Sequence, residues 1–142
     1  MARKVIAACG GSVRDKIIAV LGLTFKPNTD DMRDAPSLSI VTALEDAGAR
    51  VRGFDPEGMD QARPLLPGLE LCKSAYECIE GADALVIVTE WNEFRALDMR
   101  RVKALLRSPV IVDLRNIYRP DEMTRLGFTY SSVGRSAVPG SR

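Results

Sequence analysis

Short apolar runs alternate along this chain with segments of helical periodicity. Lys16-Ile17-Ile18-Ala19-Val20-Leu21-Gly22 is apolar at nearly every position and is bounded by Asp15 and Gly22. A continuous run of that length predicts a strand buried on both faces, as in a parallel sheet. Over residues 37–47, Leu38, Val41 and Leu44 fall on one helical face, supported by Ile40 and Ala47. Pro36 just inside the start and Gly48 just past the end punctuate that helix. Val51-Arg52-Gly53-Phe54-Asp55 reads as the next strand, stopped by Pro56.

The alternation continues to the end of the chain. Helices are predicted at 57–66, 74–80, 98–106 and 120–126, and strands at 69–72, 84–88, 110–113 and 128–130. Ser74 with Glu77 three residues on has capping-box spacing, and Asp98 is placed to start its helix. Residues 2–8 read as a short helix ahead of the first strand, and 136–142 as a polar, frayed tail. Strand–helix alternation of this kind implies βαβ crossovers. The expected fold is therefore α/β: a Rossmann-like three-layer domain with a mainly parallel sheet and helices on both faces. Such sheets bind ligands beyond the carboxyl ends of their strands, so the residues that follow each strand matter most.

Composition narrows the classes. The chain has 142 residues, 46% hydrophobic and 27% charged, enough for one domain with a core. Its 20 basic and 19 acidic residues leave a net charge of +1. That balance argues against broad nucleic-acid or membrane-surface binding, though not against a small anion site. No apolar run approaches the roughly 18–20 residues of a membrane span, and the expected compartment is the cytoplasm. With no histidine, a His-based triad or a zinc site is excluded. Cys9, Cys72 and Cys78 are odd in number and lack C-x-x-C spacing, so each reads as a small buried hydrophobe.

After the first strand comes an unusually long loop, Gly22-Leu23-Thr24-Phe25-Lys26-Pro27-Asn28-Thr29-Asp30-Asp31-Met32-Arg33. It is neither a G-x-G-x-x-G fingerprint nor a P-loop. Lys26 and Arg33, with the helix that follows, suit a phosphate. Asp30, Asp31 and Asp34 in the same loop could instead pair with those cations and make the loop structural. Arg115 follows the strand ending at Asp113, and its fork of donors can hold a phosphate or a sugar hydroxyl. The alternative is a salt bridge to Asp113 or Asp121. Trp91 and Phe94, after another strand, read as plugs of the sheet edge rather than a ligand cover. Asp55 stands where a dinucleotide fold binds ribose, but the missing glycines remove most of that support.

The stretch from Ile18 to Ser37, with Phe25-Lys26-Pro27-Asn28-Thr29-Asp30-Asp31-Met32-Arg33 at its centre, closely resembles the C-terminal domain of the UDP-glucose/GDP-mannose dehydrogenase family. Phe54-Asp55-Pro56, Ala82-Asp83-Ala84, Thr89-Glu90-Trp91-Asn92-Glu93-Phe94 and Val112-Asp113-Leu114-Arg115-Asn116 follow in that domain's order. The Phe-Lys-Pro-Asn-Thr and Thr-Glu-Trp forms look most like the UDP-glucose 6-dehydrogenase branch. The resemblance implies a two-step, NAD-dependent oxidation of UDP-glucose to UDP-glucuronate through a cysteine thioester. It implies that NAD and the catalytic cysteine belong to other domains of the polypeptide, and that the whole enzyme is at least a homodimer.

On that resemblance, Phe25, Lys26 and Arg115 bind the UDP-sugar and Arg33 reaches NAD. Residues 1–14 would be the tail of a central helix with its linker, 15–135 the sugar-nucleotide domain and 136–142 a disordered tail. No catalytic or metal-binding residue is expected, and the chain alone should be inactive. Two other readings stay open. One is the same family acting on UDP-N-acetyl-mannosamine or GDP-mannose. The other is a stand-alone α/β binding module of receiver type, which would need an acid where Lys73-Ser74 stands.

Overall fold

The computed structural model describes residues 1–133; the tail expected at 136–142 lies outside them. Six strands form one sheet in the order β3-β2-β1-β4-β5-β6. They are β1 (Ile17–Leu21), β2 (Arg50–Phe54), β3 (Glu70–Leu71), β4 (Ala84–Ile87), β5 (Val110–Asp113) and β6 (Thr129–Ser132). Every neighbouring pair is parallel, with Val20 of β1 level with Gly53 of β2 and Val86 of β4. The chain winds outward from β1 to β3, then returns and winds the other way from β4 to β6. The switch point is therefore between β1 and β4, where a doubly wound sheet opens its crevice.

Alternate side chains on each strand feed two separate cores. Ile18 and Val20 of β1, Val51, Val86 and Val112 face one core. There they meet Val5 of α1 (Ala2–Ala8), Ile40, Val41 and Leu44 of α2 (Pro36–Asp46) and Ala62 of α3 (Met59–Leu65). Ala19, Leu21, Leu85, Ile87 and Ile111 face the other core. It is closed by α4 (Ala75–Ile79), α5 (Asn92–Arg95), α6 (Met99–Leu105) and α7 (Pro120–Arg125). Both faces of the sheet are thus covered, as the unbroken apolar runs require.

The expected elements form with small shifts at their ends. Ser74 caps α4, its hydroxyl accepting from Glu77 N at 3.1 Å, and Asp98 caps α6. The expected helix over 57–66 starts later, at Met59, because Asp55 first closes a turn on Glu57 N and Gly58 N. Helix α5 was not expected: it is a single turn, too short for periodicity to register.

Candidate functional site

The loops after β1, β2, β4 and β5 converge at the carboxyl edge of the sheet, and a buried carboxylate ties three of them together. Asp55, one residue past β2, is fully buried. Its Oδ2 accepts from Leu23 N at 2.7 Å and Thr24 N at 3.0 Å, with the Thr24 hydroxyl also at 3.0 Å. Trp91 Nε1 donates to the same oxygen at 3.3 Å. Oδ1 accepts from Glu57 N and Gly58 N at 2.9 and 2.8 Å. A carboxylate holding six donors has no room for a ribose, so Asp55 builds the edge instead of binding a dinucleotide. The lone Gly22 adds no phosphate cradle.

Two further contacts fix the long loop. Thr89 Oγ1 donates to the Thr24 carbonyl at 2.7 Å, joining the β4 loop to the β1 loop. Ser37 Oγ donates to the Leu23 carbonyl, joining the loop to α2. Phe25 N then bonds Asp31 O at 2.8 Å, so residues 25–31 double back as a compact excursion. Phe25 is 48% exposed at its base, and Lys26 beside it is also exposed. Lys26 has no ion-pair partner among the described residues.

Arg33 faces elsewhere. It lines an open cleft of about 940 Å³ with Asp34, Leu38 of α2, and Gln61 and Leu65 of α3; neither Phe25, Lys26 nor Arg115 borders that cleft. Its Nε and Nη2 each donate to Asp31 at 3.0 Å. That guanidinium holds the Asp31 carboxyl below its ordinary value, chiefly through the side-chain hydrogen bond. Of the two readings of this loop, pairing is met by Arg33 and an unpaired cation by Lys26. Asp30 does neither and accepts from Gln61 Nε2 at 3.0 Å.

Arg115 stands on the β5 side of the crevice. Its loop is pinned by Asp113, fully buried, which accepts from Arg115 N, Ile117 N, Tyr118 N and the Tyr130 hydroxyl. Asn116 at φ 57° exchanges two hydrogen bonds with the Val133 backbone. The Arg115 side chain, 42% exposed, pairs with neither Asp113 nor Asp121. Its partner is Glu90 of the β4 loop, whose Oε2 accepts from Nε at 2.9 Å and from Nη2. Glu90 was not singled out from the sequence; an acid just past a buried strand, at the same edge as an arginine, was the available signal.

The aromatics of the β4 loop plug the edge as expected. Trp91 and Phe94 are buried, and Phe94 meets Phe54 edge-on at 6.3 Å. The cysteines offer no nucleophile at this edge. Cys72 and Cys78 lie buried in the core, where a shared thiol hydrogen bond and burial push Cys78 well up. Burial likewise raises Cys9.

Comparison with known proteins decides the family. A model described as "UDP-glucose/GDP-mannose dehydrogenase family, UDP binding domain" matches residues 19–120. The chain belongs to this family. It is 63% identical over 135 residues to the UDP-glucose 6-dehydrogenase of Rhizobium meliloti (strain 1021), covering 95% of this chain and 31% of that protein. A UDP-glucose 6-dehydrogenase of Bacillus subtilis (strain 168) is 42% identical over 132 residues, covering 92% and 29%.

Solved structures of the dehydrogenase family superpose on the whole domain. A UDP-glucose dehydrogenase from the hyperthermophilic archaeon Pyrobaculum islandicum gives a TM-score of 0.78 at 28% identity, covering 95% of this chain and 29% of that one. The NDP-N-acetyl-D-galactosaminuronic acid dehydrogenase of Methanosarcina mazei Go1 gives 0.81 at 29% identity, covering 97% and 28%. The chain thus spans between 28% and 31% of the length of these relatives. It matches the family's UDP-binding domain, with the doubly wound sheet that the sequence implied.

Proposed function

We propose that this chain is the substrate-binding domain of an NAD-dependent UDP-glucose 6-dehydrogenase, with Phe25, Lys26 and Arg115 holding UDP-glucose. One observation carries the reading: an unpaired lysine and a fixed arginine stand on loops either side of the β1/β4 switch point, in a domain 63% identical to an enzyme of that name. Lys26 supplies charge for the diphosphate, Phe25 an exposed aromatic face, and Arg115 directed donors from the opposite loop. Orientation of the sugar is what this domain contributes. Oxidation of the C6 hydroxyl needs NAD and a cysteine nucleophile from other domains of the polypeptide. Arg33, 89% exposed and lining a different cleft from Lys26, is assigned to NAD held by another domain.

The test is a chimera in which this chain replaces the matched segment of the Rhizobium meliloti enzyme. NADH formation from UDP-glucose is expected, at a higher kcat/KM than from GDP-mannose or UDP-N-acetyl-mannosamine. Lys26→Ala should raise KM for UDP-glucose on the order of tenfold or more, the loss of one charge-assisted contact. Arg33→Ala should raise KM for NAD instead. This chain by itself should form no NADH. A chimera that prefers GDP-mannose, or a Lys26→Ala chimera with unchanged KM, would sink the reading.

A further inference from the structure

The cations at the carboxyl edge are not equivalent. Arg115 is already held by a carboxylate, whereas Lys26 is not. Both donors that Glu90 engages, Nε and Nη2, lie on one side of the guanidinium. That side is one of the two edges an incoming phosphate could grip through two parallel bonds. Both contacts fall on a single oxygen of Glu90. Its other oxygen, Oε1, accepts no hydrogen bond among the described residues, and neither does Arg115 Nη1 donate one. The pair therefore presents an unused acceptor beside unused donors, with no net charge. Glu90 is only 22% exposed, so solvent does little to weaken its repulsion of a second anion.

A hydroxyl both donates and accepts, and it can bridge such a pair. A phosphate only accepts; it gains nothing from Oε1 and meets a like charge there. We infer that Glu90 is a specificity-determining residue: with Arg115 it receives ligand hydroxyls and turns phosphate away, leaving the phosphates to Lys26. This deepens the reading of the edge as a nucleotide-sugar site and rests on it. Glu90 also keeps the guanidinium in one orientation, so that the ligand meets a preset donor.

Sodium pyrophosphate, which carries phosphate charge and no sugar, separates the two jobs. The 15N-labelled chain of 142 residues is titrated and followed by NMR at the Phe25 and Lys26 amides and at Arg115 Nε–H. In the wild type, the amides should shift while Arg115 Nε–H stays still over the same concentrations. In Glu90→Gln, Arg115 Nε–H should shift too, and half-saturation should fall roughly tenfold, since an unmasked guanidinium gains a charge-assisted contact. Adding Arg115→Gln should abolish that gain. Glu90→Ala makes the same comparison should Glu90→Gln fold poorly. The proposal is overturned if pyrophosphate moves Arg115 Nε–H together with Lys26 in the wild type. It is equally overturned if removing the Glu90 charge brings no gain. Neither result depends on UDP-glucose, so a chimera that failed to use UDP-glucose would be a separate failure.

Discussion

The loops after β1 and β5 stand at the same edge of the sheet, yet they are fixed in opposite ways. The β5 loop carries its own anchor. Asp113 is the last residue of β5, and three of its four donors are the Arg115, Ile117 and Tyr118 amides just downstream. The β1 loop has no such residue. Its anchor, Asp55, comes from β2 and also engages Trp91 of the β4 loop. Arg115 is thus positioned largely by its own stretch of chain, and Lys26 by the assembled sheet. A local anchor survives disturbance elsewhere in the fold; a borrowed one does not.

Removing the borrowed anchor should produce the largest effect. Asp55→Ala leaves four backbone amides, the Thr24 hydroxyl and the Trp91 indole without their shared acceptor, all in or beside the core. Loss of a buried hub of this kind costs about 3–5 kcal/mol. Chemical denaturation would measure the loss. Amide exchange would test the comparison itself: Leu23, Thr24 and Gly58 should lose protection far more than Ile117 and Tyr118. Equal loss in both loops would break the distinction.

Much of this arrangement was legible from residue order alone. Buried runs at β1, β4 and β5 declared a parallel sheet, and a parallel sheet put Lys26 and Arg115 at one edge. Partners were harder to read. Asp55 could be placed at the end of β2, but whether it faced ligand or chain depended on six donors drawn from three separate loops. The Asp55-Pro56-Glu57-Gly58 turn was the one local clue, since an aspartate there accepts from the amides two and three residues on. Glu90 escaped notice for a related reason. Its partner lies 25 residues away, across a strand pairing that no local pattern specifies.

A second test acts where the β1 and β4 loops touch. Gly22 sits at φ 94°, and a Cβ there would lie 2.4 Å from Thr89 N and 2.8 Å from Thr89 Cα. Both atoms are backbone, so no side-chain rotation relieves the clash. Gly22→Ala should therefore cost about 2–4 kcal/mol, combining a left-handed backbone with overpacking. The Thr89–Thr24 bond should open with it, and Lys26 should be displaced while Arg115 keeps its Asp113 anchor. In the chimeric enzyme this predicts a raised KM for UDP-glucose, while amide exchange at Ile117 and Tyr118 in the β5 loop stays unchanged. A variant in which both loops loosened together would show that the crevice behaves as one unit.

The smallest effect separates the two arginines. Asp31 is partly exposed, and Arg33, by donating to it, holds its carboxyl below its ordinary value. A depressed carboxyl adds stability above its unfolded value and loses it as pH falls through the folded one. The Asp31–Arg33 contact should therefore persist through neutral and mildly acidic solution and open only at strongly acidic pH. Carboxyl 13C NMR on Asp31 would read the midpoint directly, and Arg33→Gln should move it upward to the ordinary aspartate range. Salt should produce the same upward drift, since a surface pair is readily screened. The Glu90–Arg115 contact, with Glu90 only 22% exposed, should loosen with salt much less, as read at Arg115 Nε–H. If instead both contacts loosened equally with salt, Arg115 would be as loosely held as Arg33. The β5 side of the crevice would then have no claim to a preset donor.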